Sequence, residues 1–299
     1  FCKKSSLFQL DQIILKKLYG EYVWVTGTSK QAINYSYTFY NKVIEYISPN
    51  KNDLIIEIAS NDGTFIKRFI ENNFKKVIGV DPAVNIAKFA NQNNIKTIND
   101  YWSTSLASDI IKNNEYGFAK VVFARNVIFH AIDLYDNIQG IYDVLLDDGV
   151  GIIEFHEASV IQKELHYDSI YHEHVIYFSI KSITYLLNRF NLNTFHVERS
   201  PTSGGSFAIY FSKNKRTKTK ELIHEEQMEE YNQVNELSTW KNFSSRVIAH
   251  KNEMNKLISS IKGKKIIGFG SSARSQTLLN FCGINNKKIR AIVDNNSFK

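Results

Sequence analysis

Short apolar segments that alternate with helix-length intervals are the feature that most constrains how this chain folds. These segments, rich in Ile and Val, lie at 54–59, 76–81, 95–98, 120–124 and 150–155. Each has the length of a buried strand, and the intervals between them predict helices. Strands that alternate with helices form a parallel sheet with helices on both faces. The sequence therefore predicts an α/β fold with a parallel, doubly wound sheet.

The carboxyl ends of these strands are where we expect a ligand, because open parallel sheets bind ligands just beyond that edge. Asp81 ends the second strand, where an acidic side chain can bind the two hydroxyl groups of a ribose. The alternative is that Asp81 caps the helix that starts near Pro82. We favour the ribose role because the position in the sheet and the residue type agree. The residues at this edge are Glu57 to Gly63, Asp81, Tyr101, Trp102, Arg125, Asn126 and 154–156.

The loop after the first of these strands reads E-x-x-x-N-D-G and departs from the dinucleotide-binding pattern. Gly63 occupies one glycine position, but Ala59 and Asn61 stand where that pattern has glycine. This favours a nucleoside ligand without phosphates, such as S-adenosylmethionine, whose amino-acid part would meet the backbone amides of the loop. Tyr101 or Trp102 is placed to stack on the adenine, although either ring is equally compatible with a role in the core.

A second candidate site is the run Tyr171-His172-Glu173-His174, which is flanked by apolar and aromatic residues. Apolar surroundings shift the pKa of an imidazole, and a neutral imidazole can accept a proton near pH 7 while a carboxylate orients it. In an extended segment the two histidines would share one face, with Tyr171 and Glu173 on the other. The spacing does not match the H-E-x-x-H zinc template. A polar turn between packed segments is the other interpretation.

The remaining chain predicts further α/β structure. A G-x-G-x-x-A turn at Gly268–Ala273 follows one strand, and Asp294 follows the next, near the ribose position of a nucleotide-binding unit. The same pattern also serves other nucleotides, or only packs a helix on a strand. The other predicted elements are a strand that ends in a turn over 22–29, a helix over 30–48 capped by Thr28 or Ser29, a helix from Ser179 to 190, strands near 192–199 and 205–212, and charged helices within 214–260.

Composition limits the classes of partner. The net charge of +7 permits nucleic-acid binding, but the lysines are scattered and no recognition segment appears, so we predict a phosphate-bearing small molecule instead. No apolar run approaches the length of about 18 residues that spans a membrane. Two distant cysteines, Cys2 and Cys282, predict a reducing, cytoplasmic location. We expect the natural chain to extend beyond both ends of this sequence.

Several segments, in one order along nearly the whole chain, resemble the sugar C-methyltransferases. This family uses S-adenosylmethionine to methylate C-3 of nucleotide-linked 4-keto-deoxysugars. The resemblance implies a small N-terminal lobe (1–30), a Rossmann-like class I methyltransferase domain (31–160) and a C-terminal α/β domain that binds the nucleotide sugar (161–299). The matching segments are 7–10, 22–29, 57–63, 79–83, 124–127 with His130, 167–179, 204–206 and 268–283.

The resemblance also implies roles for individual residues. The implied catalytic set has His174 as the base, with Glu173, Tyr171, His130 and Tyr22. The predicted cofactor set is Glu57, Ala59, Asn61, Gly63, Asp81, Pro82, Tyr101, Trp102 and Asn126. The predicted substrate set is His172, Ser203, Gly204, Gly205, Ser206, Gly270, Ser271, Ser272 and Arg274.

The sequence departs from the family in two places. Family members carry two C-x-x-C pairs that bind zinc near the N-terminus; here Cys2 fits one ligand, but Ser5 replaces its partner. We therefore predict no bound zinc unless residues upstream of this sequence complete the site. Ser203 and Ala208 stand where the family has His and Arg, which leaves the identity of the sugar and nucleotide open.

Three other functions remain as alternatives. An O- or N-methyltransferase acting on a related nucleotide sugar would not need a base for a carbon acid. An NAD(P)-dependent oxidoreductase would use Gly268–Ala273, but the sequence has no Ser/Tyr-x-x-x-Lys set. A basic binding protein with a degenerate site would not need the Tyr171–His174 run and His130 to stay intact.

Overall fold

The computed structural model describes residues 1–11, 22–131 and 133–294. The strands are β1 (Phe8–Gln9), β2 (Leu54–Ile58), β3 (Lys76–Val80), β4 (Thr97–Ile98), β5 (Ala119–Arg125), β6 (Leu145–His156), β7 (Ile176–Tyr177), β8 (Asn193–Ser200), β9 (Ser206–Ser212), β10 (Ile267–Phe269) and β11 (Ala291–Val293). The helices are α1 (Lys30–Ile47), α2 (Lys67–Glu71), α3 (Val84–Gln92), α4 (Thr104–Lys112), α5 (Leu134–Val144), α6 (Ala158–Lys163), α7 (Ile180–Asn188), α8 (Lys220–Tyr231), α9 (Leu237–Ser260) and α10 (Ala273–Cys282).

Seven strands form one sheet in the order β4-β3-β2-β5-β6-β9-β8. All pairs from β4 to β6 are parallel, whereas β9 runs antiparallel to both of its neighbours. β2 is buried along its whole length because helices cover both faces of the sheet. The predicted α/β, Rossmann-like fold is confirmed.

The sheet crosses the boundary that we placed at residue 160, because β8 and β9 belong to it. The outer edge of β6 accepts β9, with Gly151 opposite Phe211. A side chain at Gly151 would overlap the Phe211 ring, so a glycine permits this close approach. The substrate-binding role of residues 161–299 stays a prediction, and residues 295–299 lie outside the described part of the chain.

Apolar clusters on the two faces of the sheet hold the helices in place. On one face, α1 and α2 contribute Phe39, Val43 and Phe69. On the other face, α4 and α5 contribute residues such as Leu106 and Ile141. Large apolar side chains buried in this way each stabilise the fold by about 1.5–3 kcal/mol relative to exposure.

The N-terminal residues pack against the C-terminal half of the chain. β1 pairs with β7, and the Phe8 ring stacks on Trp240 of α9 at a centroid distance of 4.1 Å. β10 and β11 form a separate two-stranded parallel sheet. The predicted lobe 1–30 also includes residues 12–21, which lie outside the described residues.

The predicted strand within 22–29 is wrong, whereas the turn predicted at its end is confirmed. In the described part of the chain residues 22–25 pair with no strand, and Thr26–Thr28 form a 3₁₀ turn. Side chains of Asn61, Asp62 and Asn85 hydrogen-bond the backbone of this segment instead of a neighbouring strand.

The predicted helix over 30–48 is confirmed as α1. The Ser29 hydroxyl, one of the two predicted caps, accepts the backbone N–H of Ala32. Within the described ranges, no helix has both the length and the apolar character needed to cross a membrane.

Candidate active site

A cavity of about 990 Å³ lies at the carboxyl ends of the parallel strands. Loops that follow β2 to β6 contribute to its walls, together with residues 22–35 and the start of α10. The cavity therefore occupies the edge that the strand pattern predicts for a ligand. The sequence-predicted residues that line it are Tyr22, Ala59, Asn61, Asp81, Pro82, Tyr101, Trp102, Asn126, His130, Tyr171, His174, Ser203, Ser272 and Arg274.

Other predicted residues lie outside the lining. Glu57 is buried, and its carboxylate accepts the Ile66 N–H at 3.0 Å, so it holds the loop from beneath. Burial raises the pKa of Glu57 well above its usual range. Gly63 supplies a turn with φ +79°, and His172 is exposed. The complete set outside the lining is Glu57, Gly63, His172, Glu173, Gly204, Gly205, Ser206, Gly270 and Ser271.

The loop after β2 folds without the glycines of a dinucleotide site. Ala59 and Asn61 both adopt left-handed conformations, with φ of 53° and 51°. Non-glycine residues seldom adopt this conformation, and asparagine tolerates it best. Asp81 fixes the loop, because its carboxylate accepts the Asn61 N–H at 2.8 Å and the Ala83 N–H at 2.9 Å. Both interpretations of Asp81 fit these contacts, since it bonds the start of α3 and also lines the cavity.

The two aromatic candidates for an adenine contact differ in burial. Trp102 is 6% exposed, and its indole N–H donates to the Asn137 carbonyl at 3.1 Å. Its polar group is therefore bonded within the protein. Tyr101 is 49% exposed. Both rings line the cavity, but Tyr101 offers more of its surface to a ligand.

Asn126 presents an unsatisfied acceptor at the cavity. Its Nδ2 donates to Glu154 at 2.7 Å, which directs Oδ1 the other way. Within the described residues this buried Oδ1 has no hydrogen-bond partner. Buried polar atoms are rarely left in this state, so Oδ1 suits a ligand that carries a donor, such as an ammonium group.

Sequence reasoning missed Glu154 as a common acceptor behind the cavity wall. Its side chain is fully buried and bonds three residues that line the cavity: Tyr35 at 3.2 Å, Arg125 at 3.2 and 3.0 Å, and Asn126. The Arg125 guanidinium also lies 3.2 Å from the centroid of the Phe65 ring. Opposite charges at the ends of two neighbouring strands were the available signal, because Arg125 and Glu154 are register partners.

The Tyr171–His174 run forms a turn, so the extended arrangement that we predicted is wrong. The His174 N–H donates to the Tyr171 carbonyl at 2.9 Å. This turn brings the Tyr171 hydroxyl to 2.8 Å from Nε2 of His174 and leaves His172 exposed. Nδ1 of His174 lies 3.0 Å from the Ser169 carbonyl, which can only accept. Nδ1 therefore carries the ring proton, and the lone pair on Nε2 accepts a hydrogen bond from the Tyr171 hydroxyl.

Burial keeps the histidines of this region neutral. Burial, together with the charged forms of His130 and His156, lowers the pKa of His174 to about 2. Burial likewise lowers the pKa of His130 to about 4, while Nδ1 of His130 donates to the Glu173 carbonyl at 2.5 Å. The rings of His130 and His174 lie 5.0 Å apart. These imidazoles are therefore neutral near pH 7, and protonation of either buried ring is costly unless a negative charge forms beside it.

Tyr22 completes this part of the cavity as a hydrogen-bond donor. Burial, and then the negative charges of Glu173 and Asp81, raise the pKa of Tyr22 to about 12. Its phenol therefore stays protonated near neutral pH. A protonated phenol and a neutral imidazole in one cavity can remove a proton from a weak acid and stabilise the oxyanion that forms.

Arg274 joins the start of α10 to the 3₁₀ turn Tyr167–Ser169 and to the loop before β9. Its guanidinium donates twice to Asp168, at 2.9 Å each, and once to the Ser203 carbonyl at 3.2 Å. Sequence reasoning missed a histidine pair nearby, in which Nε2 of His156 lies 3.3 Å from Nδ1 of His166. The predicted substrate residues Ser203, Ser272 and Arg274 thus share one end of the cavity.

The prediction of no bound metal remains a prediction. In residues 1–11, 22–131 and 133–294, no group of three or more His, Cys, Asp and Glu side chains is arranged to hold a metal ion. Cys2 is exposed.

The sheet order and the cavity at its carboxyl edge define a Rossmann-like class I methyltransferase. Residues 33–197 match the family model of a methyltransferase domain, and residues 201–299 match that of a C-methyltransferase C-terminal domain. The chain therefore belongs to the S-adenosylmethionine-dependent C-methyltransferases, as its sequence resemblance predicted. This finding removes the oxidoreductase and the degenerate binding protein from the alternatives.

Two individual comparisons agree with this family. The chain is 26% identical over 304 residues to C-methyltransferase NovU of Streptomyces niveus, a match that covers 100% of this chain and 71% of NovU. The PH0226 protein of Pyrococcus horikoshii OT3 has a structure with a TM-score of 0.50 and 15% identity, covering 64% of this chain and 95% of that one. The second likeness shows the fold alone.

Proposed function

We propose that this protein methylates C-3 of a nucleotide-linked 4-keto-deoxysugar. The observation that carries this proposal is the lone pair on Nε2 of His174, which faces the Tyr171 phenol in the cavity. The loop after β2, which we expect to bind the cofactor, lines the same cavity. A carbon next to a ketone needs a base to remove its proton and donors to stabilise the enolate oxygen. An oxygen or nitrogen acceptor would not require a base for a carbon acid together with an oxyanion site.

The residues at the carboxyl edge fit S-adenosylmethionine. Asp81 would bind the ribose, Ala59 and Asn61 would meet the amino-acid part, and Tyr101 would stack on the adenine. The unsatisfied Oδ1 of Asn126 is an independent feature that suits the ammonium group of this cofactor. When bound, the cofactor supplies a methyl group on a positively charged sulfur, which a carbon nucleophile can attack.

His174 and Tyr171 would divide the proton chemistry between them. On substrate binding the Tyr171 hydroxyl would move from Nε2 to the ketone oxygen and leave the Nε2 lone pair free. Nε2 would then take the C-3 proton of the sugar, the C–H electron pair would pass to the enolate, and Nδ1 would keep its proton on the Ser169 carbonyl. The positive imidazolium and the negative enolate form together, which offsets the cost of a charge on a buried ring.

Tyr22 would support the same oxyanion, whereas His130 donates its single ring proton to the Glu173 carbonyl and lies beside His174. Tyr22 is protonated near neutral pH, so it enters the reaction as a donor. The enolate carbon would then form its bond to the methyl group while the methyl–sulfur bond breaks, and the sulfur would keep that electron pair and leave as a neutral thioether. The positioning of the two reactants supplies much of the rate.

The other end of the cavity would hold the nucleotide portion of the substrate. The Arg274 guanidinium and the hydroxyls of Ser203 and Ser272 lie there, at the start of α10. The positive end of a helix dipole and a cation both favour phosphate oxygens.

The test is hydrogen exchange at C-3 of a thymidine-diphospho 4-keto-6-deoxy sugar in heavy water, followed by addition of S-adenosylmethionine. We expect deuterium uptake and a methyl group on carbon, both lost in His174→Ala. The control is His224→Ala, which changes an exposed histidine of α8. A product whose methyl group NMR places on oxygen or nitrogen would refute carbon methylation.

A further inference from the structure

The segment 22–27 lies beside the loop that follows β2, and side chains from other segments bond its backbone. Tyr22, Trp24 and Thr26 all line the cavity. Among the described residues, 22–25 pair with no strand. Its backbone needs hydrogen-bond partners, and two asparagines supply them.

Asn61 and Asn85 each use both ends of the side-chain amide on this backbone. Asn61 donates to the Trp24 carbonyl at 3.0 Å and accepts the Thr26 N–H at 2.8 Å. Asn85 donates to the Tyr22 carbonyl at 2.8 Å and accepts the Tyr22 N–H at 3.1 Å. The amides thus replace the neighbouring strand that the segment lacks.

A further contact brings the segment close to the loop that follows β2. The Gly27 N–H donates to the Asp62 carboxylate at 2.9 Å. A Cβ atom on Gly27 would overlap that carboxylate, so glycine is required for this approach.

Asn85 has no comparable task in its own helix. It is exposed, it is the second residue of α3, and its side-chain amide bonds the backbone N–H and C=O of Tyr22. Holding the N–H and the C=O of one residue fixes the direction in which its side chain leaves the backbone. For Tyr22 that side chain is the phenol whose pKa is raised by burial and then by two negative charges. These charges are Glu173, in the Tyr171–His174 turn, and Asp81, at the carboxyl edge of the sheet.

We propose that Asn85 is a positioning residue that clamps the backbone of Tyr22 and so directs its phenol into the active site. This inference rests on the proposed function for the identity of the acceptor. The clamp itself is a property of the fold and can be tested without an acceptor.

The first test is a double-mutant cycle on the rate of methyl transfer to the nucleotide sugar. We expect Asn85→Ala to lower kcat by about 10- to 100-fold, because small misplacements of a catalytic group have effects of this size, with little change in cofactor affinity. Asn85→Asp keeps the acceptor for the Tyr22 N–H but loses the donor, so its kcat should lie between those of Asn85→Ala and wild type. In a Tyr22→Phe background, Asn85→Ala should cause no further loss. Additive losses would overturn the proposal, because Asn85 would then act through another group.

The matched control is Asn93→Ala, an exposed asparagine at the end of the same helix whose amide bonds the Phe89 carbonyl. It should leave kcat unchanged.

The second test does not depend on the acceptor. Hydrogen exchange of the peptide that covers 22–27, read by mass spectrometry, should be faster in Asn85→Ala than in wild type and in Asn93→Ala. Equal exchange rates in the three proteins would overturn the clamp. If the nucleotide sugar is not methylated by wild type but exchange is faster in Asn85→Ala, the proposed function fails and the clamp stands.

Discussion

Replacing Glu154 with glutamine tests how the cavity wall is supported. The carboxylate accepts four hydrogen bonds, at 2.7, 3.0, 3.2 and 3.2 Å, from three side chains that line the cavity. A glutamine oxygen can accept about two of them, and its NH₂ group would face the remaining donors. Hydrogen bonds to a charged group contribute about 1.5–3 kcal/mol each, so the loss of two is worth about 3–6 kcal/mol. The cost of removing one partner from a buried ion pair, about 3–5 kcal/mol, lies within this range.

The assay is urea unfolding, with S-adenosylmethionine affinity measured by calorimetry on the same proteins. We expect Glu154→Gln to lower the free energy of unfolding by about 3–5 kcal/mol and to weaken cofactor binding, because Asn126 and Arg125 lose their anchor. Tyr35→Phe is the control, since it removes a single neutral donor and should cost about 1 kcal/mol. A loss below about 1 kcal/mol in Glu154→Gln, with unchanged affinity, would refute this account of the wall.

Three further substitutions address the reaction, the substrate end and the pH dependence of stability. Tyr171→Phe should lower kcat by about 10²–10³ with unchanged cofactor affinity, as for the loss of an oxyanion donor; a drop below tenfold in single-turnover assays would contradict that role. Arg274→Lys should raise KM for the sugar, because lysine cannot replace the two-pronged contact with Asp168; steady-state kinetics with an unchanged KM would count against it. Burial raises the pKa of Glu157 to about 7, so the folded state binds more protons than the unfolded state between about pH 4.5 and 7, and stability falls across that window as pH rises. Glu157→Gln should flatten this fall and raise Tm at pH 8, which thermal melts across pH would show; melts that keep the wild-type slope would contradict it.

Local pattern was sufficient for most of the secondary structure. The strands from β2 to β6 and the helices α1 and α7 lie close to where periodicity and capping residues placed them. Asp81 and Asn126 were found because strand ends gather at one edge of a parallel sheet whatever the details of packing.

Local pattern failed where backbone partners come from distant side chains. Residues 22–29 have the composition of a strand, but Asn61 and Asn85 take the place of the neighbouring strand. The Tyr171–His174 run was read as extended, whereas a turn brings the phenol to the imidazole.

The sequence by itself determined the class of fold, the edge of the sheet at which the cavity lies and the residue types that line it, because side-chain periodicity and strand order are local properties. Only the tertiary structure decided which nitrogen of His174 holds the lone pair, because that depends on the Ser169 carbonyl. It likewise decided that Glu154 anchors the wall and that Asn85 holds Tyr22. These contacts join segments far apart in the chain, and their distances follow from how the sheet and its loops pack.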